Sequence, residues 1–306
     1  MNEADELREE ASDENAALPP TLGGQAVIEG VMIRGPQAMA VCVRKPDGEL
    51  AYKTEPNATA SRFRGVPIMR GVAALGDTLT QGMRATIWSA QVAAGKEPEE
   101  PSKGELRTTM TISALIASTL FMLGPAIASR RIERKMGSSR FAPLMEGAMR
   151  VGTLVGYLRT VGRLPQAQRL FAYHGAEHRA IQAYEAGEPL EIESLRHFPN
   201  AHVRCGTSFL LTTTLVSSAV YAALGPSAGG GLGKRLLWRL ALTPVIAGLS
   251  YEALRLAGAS SPNGIWRLLF RPNLALQSLT TRDPDESQME VALAAVRAAL
   301  AAHEAA

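Results

Sequence analysis

Two long stretches of this 306-residue chain carry no charge at all: Thr108 to Ser129, 22 residues, and Thr207 to Gly233, 27 residues. A helix rises 1.5 Å per residue, so about 20 apolar residues match the hydrocarbon core of a bilayer, and each stretch is read as a membrane span. In the second, the span is the part up to Gly225, and the glycine-rich PSAGGG that follows is a turn. Leu236 to Gly258 is a third expected span, with Arg239 near one end and Glu252 and Arg255 near the other. Leu144 to Val161 carries Glu146, Arg150 and Arg159, so it either crosses inside a bundle that hides those charges or lies along the interface. Arg130, Arg131, Arg134 and Lys135 follow the first span as charges do at a headgroup layer. Pro125 near the end of that span is a candidate kink, and Pro244 frees backbone carbonyls that neighbouring helices must satisfy.

The rest of the chain is more polar. Its opening, MNEADELREEASDENAALPP, is acidic with no apolar h-region, which excludes a signal peptide and reads as a disordered tail. From Gly23 to Tyr52 the pattern turns to short β-type runs, and Lys45-Pro46-Asp47-Gly48 between Ala38–Val43 and Glu49–Lys53 predicts a hairpin. Ser61 to Ala94 places apolar residues at helical spacing among four arginines, an amphipathic helix, and Gly95 to Glu105 is a charged Pro/Gly linker. Near the end, Asp283 is the expected N-cap and Pro284 the first residue of a helix over Asp285 to Ala302, with Leu293, Val296 and Leu300 as a docking stripe. The expected fold is therefore mainly α: an integral membrane bundle of three to four spans with a small N-terminal α+β domain containing a β-hairpin. The expected divisions are a tail (1–22), an α+β domain (23–94), a linker (95–107), a membrane domain (108–258) and a C-terminal segment (259–306).

A net charge of +3 and 5% aromatic residues argue against a nucleic-acid partner and fit basic flanks of membrane segments better. Two cysteines, Cys42 and Cys205, give no disulfide framework. The expected partner is the lipid bilayer.

The chemistry concentrates between Tyr173 and Thr207, where His174, Glu177 and His178 form H-x-x-E-H. Phe171 to Ala186 is Ala-rich and free of proline, with Gly187 just beyond, so it reads as a helix with a glycine stop. Residues four apart share a helix face, so the two imidazoles can hold one divalent metal, zinc first among the candidates. Glu177, if not a ligand, is placed to accept a proton from a metal-activated water, the arrangement of inverted zinc hydrolases. The bland alternative is a packed or hydrogen-bonded histidine pair. His202, Cys205 and Glu252 are candidate further ligands; against these stand a buried small cysteine and a snorkelling carboxylate. Glu29, set among apolar residues with Arg34 five positions on, is either paired with an arginine or directed toward a site. Arg204 and Arg34 are candidates to steady a developing oxyanion.

GGQAVIEGVMIRGP at Gly23 to Pro36, YHGAEH at Tyr173 to His178, RCGTSF at Arg204 to Phe209, Ser250-Tyr251-Glu252 and LTTR-x-P at Leu279 to Pro284 together resemble the YqhQ-type family of bacterial membrane proteins. The resemblance spans nearly the whole chain after its first twenty residues. It implies a membrane location and a suspected metal-dependent enzyme, without a known reaction. Where relatives tend to have His-Pro-Arg-Cys, this chain has His202-Val203-Arg204-Cys205.

These readings lead to a membrane-bound metal-dependent hydrolase of the cell membrane, multi-pass, its site on the cytoplasmic side and its substrate a membrane-embedded peptide or lipid. A membrane scaffold with a structural metal is the alternative from another class, and a metal-ion transporter the third. The sequence does not define an oligomeric state.

Overall fold

A computed structural model describes residues 20–57, 65–136, 142–202, 205–224, 232–259 and 265–305. The acidic tail up to residue 19, Ser61–Arg64, the PSAGGG turn and the candidate Arg204 lie outside these residues. The chain is mainly helical with one small antiparallel sheet, as expected.

The sheet is a four-strand meander, β1 (Gly23–Val27), β2 (Gly30–Arg34), β3 (Ala38–Arg44) and β4 (Leu50–Pro56), in the order β1-β2-β3-β4. The predicted hairpin is β3–β4, and its turn has Gly48 at φ 89°, a left-handed conformation that glycine adopts without a Cβ clash. A second hairpin, β1–β2, turns at Ile28 and Glu29.

Strands alternate their side chains between faces, and here both faces are covered. Val27, Met32, Met39, Val41 and Val43 pack against Ala85, Trp88 and Val92 of α1 (Met69–Ala93). Val31, Ile33, Ala40 and Cys42 face two helices from later in the chain, α5 (Pro165–Glu185) and α10 (Glu286–Glu304). Helix α5 turns Ala172, Ala176, Ala180 and Ala183 inward, small residues that bring its backbone close to the strands, and α10 adds Leu293 and Val296. The expected docking stripe on the last helix is thus a core face, with Leu300 at its margin.

Segments far apart in the sequence meet on this sheet. The H-x-x-E-H helix, assigned to the membrane domain, and the C-terminal helix, assigned to a separate segment, are both layers on the N-terminal sheet. Apolar runs show which face of an element is buried but not which distant element buries it.

Helix α5 starts with Pro165 at its first turn and stops before Gly187 at φ 70°. Helix α10 is capped by Asp285, whose side chain accepts from the Gln288 N–H at 2.9 Å while the Gln288 side chain accepts from the Asp285 N–H at 3.0 Å. The expected cap, Asp283, instead accepts from Arg179 at 2.8 Å and Asn200 at 2.9 Å, two helix-external partners that the sequence did not suggest.

The remaining helices are α2 (Lys103–Ser118), α3 (Gly124–Met136), α4 (Ala142–Val161), the short α6 (Ile192–Arg196), α7 (Gly206–Leu224), α8 (Leu232–Ala259) and α9 (Ile265–Gln277). A π-helical turn, Thr119–Leu123, joins α2 to α3 immediately before Gly124-Pro125, where the proline removes a backbone donor. Among the described residues two segments are long and apolar enough to cross a membrane, Lys103–Ile132 and Gly206–Leu224. The third expected span forms α8 and the ambiguous one α4. Glu146 and Arg150 on α4 are hidden, since Glu146 accepts from Arg150 at 2.6 Å and from Arg239 of α8 at 2.7 Å. Both guanidinium groups lie 5.0 Å from the Tyr221 ring of α7.

Ile33 is fully buried between the sheet and α5 and α10. Ile33→Ala should lower the unfolding free energy by about 2–5 kcal/mol, read by denaturant or thermal unfolding in detergent.

Candidate metal centre

One turn of α5 separates His174 from His178, and their ring centroids lie 4.3 Å apart. The Nδ1 of His174 is 2.8 Å from the Thr280 carbonyl oxygen, and that of His178 is 2.6 Å from the Asn200 carbonyl oxygen. A carbonyl can only accept, so each neutral ring carries its proton on Nδ1 and presents a bare Nε2, the usual orientation of a metal-binding histidine. Cys205, just ahead of α7, brings its Sγ to 3.2 Å from His174 Nε2. Ligand atoms of the His174, His178 and Cys205 side chains all lie within 4.8 Å of one another. A tetrahedral zinc with bonds of about 2.0–2.3 Å sets its ligand atoms about 3.3–3.6 Å apart, so the three groups fit such an ion with small side-chain movement.

Three separate segments build this cluster, and a buried glutamine holds two of them in register. Gln277 Oε1 accepts from the His202 N–H at 2.8 Å, while its Nε2 donates to the His202 carbonyl at 2.8 Å and to Ser208 Oγ at 3.0 Å. The loop leading into Cys205 is thereby fixed to the end of α9. Asn200, whose carbonyl orients His178, is itself held by Arg179, which donates to its Oδ1 at 2.8 Å.

Glu177 is buried beside the cluster, with Oε2 3.6 Å from His178 Nε2. Burial raises its carboxyl above the ordinary range, opposed by His174 and His202. Burial also lowers the pKa of His178 and of His202, which keeps both rings neutral and able to donate a lone pair. A Cβ on Gly24 would collide with the Glu177 carboxylate, so the glycine of β1 makes the space the carboxylate occupies. Between these groups is a cavity of about 30 Å³ lined by His174, Glu177, His178, His202 and Cys205, large enough for an ion and a water.

The other sequence candidates go elsewhere. His202 lines the cavity with its ring centroid 5.7 Å from that of His178, but its Nε2 is 3.2 Å from Glu185 Oε2 and it stands outside the three-donor group. Glu252 is not brought to the cluster: Arg70 Nε donates to its Oε1 at 2.7 Å and Arg70 Nη2 to its Oε2 at 2.5 Å, which ties α1 to α8. A carboxylate among apolar residues reads identically whether a metal or a distant arginine neutralises it. Glu29 is likewise paired with an arginine, accepting from Arg169 Nε at 2.5 Å and from the Tyr173 hydroxyl at 3.3 Å. Its partner is not Arg34, which donates to Thr78 Oγ1 at 3.0 Å. The sequence reading missed Gln277, Asn200, Thr280 and Gly24. The LTTR and GGQ motifs that contain two of them were the available signal.

The chain belongs to a family of proteins of unknown function, DUF1385, whose pattern it matches over residues 66–302. Within it, the chain is 31% identical over 294 residues to the uncharacterized protein YqhQ of Bacillus subtilis (strain 168), covering 90% of this chain and 91% of that protein. No solved structure matches the chain.

His174→Ala, His178→Ala and Cys205→Ala should each abolish stoichiometric zinc in detergent-purified protein, whereas Glu177→Gln and Glu252→Gln should retain it, as measured by elemental analysis. Equal loss in Glu177→Gln would make that carboxylate a ligand. Cys42, fully buried with its thiol pushed up to about 12, should resist alkylation at pH 8 with or without zinc, while zinc should slow alkylation of Cys205.

Proposed function

We propose that this protein is a membrane-embedded metal-dependent hydrolase in which His174, His178 and Cys205 hold zinc or a similar divalent ion and Glu177 is the general base. The observation that carries this reading is the pair of oriented imidazoles whose bare Nε2 atoms converge with a thiol beside a buried, unligated carboxylate. When bound, the metal would lower the pKa of a water to near neutral and polarise the bond to be cleaved. The residues of the chain do the rest. Glu177, its proton affinity raised by burial, would be the residue that accepts a proton from an attacking water and passes it to the leaving group. Gly24 keeps the carboxylate in place, and the sheet behind α5 excludes bulk water from one side of the cavity.

The membrane location rests on the two long apolar helices and on their exposed side chains. Ile112, Leu115 and Ile116 of α2, and Leu210, Leu215 and Leu224 of α7, are all exposed, a distribution that a water-soluble surface disfavours and lipid accepts. Cys205 immediately precedes α7, which supports reading the cluster as lying near the end of a membrane segment. In this reading the site faces the side on which the N-terminal sheet lies, the cytoplasm. A scaffold with a closed structural metal would want a fourth protein ligand, and the nearest ring, His202, directs its Nε2 to Glu185.

The protein should remain in the membrane fraction after alkaline carbonate extraction. The zinc-loaded protein should hydrolyse members of a proteome-derived peptide mixture or a bacterial lipid extract, and Glu177→Gln should lower that rate by roughly 10²–10⁴-fold with metal retained. Hydrolysis undiminished in Glu177→Gln would remove the carboxylate from the mechanism.

A further inference from the structure

The 30 Å³ cavity has a neighbour at the edge of β1. A second recess of about 290 Å³ lies on the α1 side of the sheet edge, and Gly23 and Gly24 line both. Arg34, Gln25 and Thr78 form the polar wall of this recess. We propose that it is the anchoring subsite of the metal centre, and that it holds the carboxylate of a peptide lying in extended form along the edge of β1. This inference rests on the hydrolase reading above and adds the substrate class to it.

Arg34 is the first reason. Arg44, Arg70, Arg84, Arg169 and Arg179 each pair with a carboxylate, but Arg34 has no ion pair among the described residues. Its Nη1 donates to Thr78 Oγ1 at 3.0 Å, and the Thr78 hydroxyl donates to the Ala74 carbonyl at 2.7 Å, so the guanidinium is aimed by a fixed hydroxyl rather than neutralised. The group is half-buried, and that desolvation, the largest influence on it, holds its pKa below the usual value. A partly desolvated guanidinium that lines a recess and has no ion pair among the described residues is a receptor for a planar anion. A single cation, with Asp77 near enough to affect it electrostatically, favours a carboxylate over a phosphate dianion.

The strand edge is the second. In β1–β2 the turn closes at the Val27–Gly30 pair, so by alternation Gln25–Met32 and Gly23–Arg34 are the hydrogen-bonded pairs, and the N–H and C=O of Gly24 point off the sheet. Strand β1 is an outer strand of the sheet, and both Gly23 and Gly24 are exposed. An unpaired edge beside a reactive centre can accept an extended peptide backbone.

The third is Gly23 itself. It has no left-handed φ, and a Cβ there would meet no atom within 4 Å, so neither strain nor packing requires glycine. Its missing side chain leaves open space where the two cavities share a wall. A peptide crossing it would be cut by addition of water across an amide C–N bond. The water oxygen goes to the carbonyl carbon, and the protons go to the leaving amine.

The test uses the full-length zinc-loaded protein in detergent and a proteome-derived peptide mixture, untreated or with its carboxylates methyl-esterified, with products identified by mass spectrometry. Cleaved peptides should share a free carboxylate at a fixed distance from the cut. Cleavage should fall roughly tenfold or more on esterification, and by a similar factor in Arg34→Met, with Arg34→Lys recovering part of it. Gly23→Val should block cleavage and keep zinc, which guards against misfolding of the arginine variant. Equal cleavage of free and esterified peptides, or no peptide cleavage by zinc-loaded wild type, overturns the proposal. Failure of the wild type to hold metal instead removes the hydrolase reading on which it rests, so the two failures are distinguishable.

Discussion

Two hydrogen bonds, from the Nδ1–H of His174 to the Thr280 carbonyl and from that of His178 to the Asn200 carbonyl, are the constraint on which the site depends. They fix the tautomer and the ring angle, and they also define which parts of the chain must meet. Helix α5, the loop ahead of α7 and the loop after α9 converge at these two carbonyls. Gln277 then holds the second and third to each other. Side chains held this way have their geometry set in advance of any ion, since each imidazole already has its second nitrogen occupied.

That convergence in turn depends on the sheet. Helix α5 presents small residues to β1 and β2, and the closeness this permits brings Gly24 against Glu177. Substituting Gly24 would press a Cβ into a carboxylate, so the strand and the Glu177 side chain are matched parts of one wall. The layers on the sheet come from both ends and from the middle of the chain, and the two long apolar segments alternate with them in sequence.

Much of the centre was legible in the sequence because the relevant chemistry is local. H-x-x-E-H on an Ala-rich segment with a glycine stop specifies a helix with two imidazoles on one face, and a cysteine beside a long apolar run specifies where a thiol would stand. Glu252 and Glu29 were ambiguous for a physical reason, since a carboxylate in apolar surroundings must be neutralised but its sequence does not say by what. Arg70 and Arg169 do this from 182 and 140 residues away. Backbone carbonyls of Asn200 and Thr280 carry no side-chain signature at all, so no pattern of residue types could have revealed them. The cap of α10 moved by two residues because Asp283 and Asp285 are both competent caps, and contacts with Arg179 and Asn200 engage the first.

X-ray absorption at the zinc K-edge on detergent-purified protein measures the central claim directly. The account predicts one sulfur at about 2.3 Å and two imidazole nitrogens at about 2.0–2.1 Å around a single ion, with a light atom completing the sphere. A spectrum with no sulfur scattering, or a protein that purifies without metal and does not take up zinc, would contradict it.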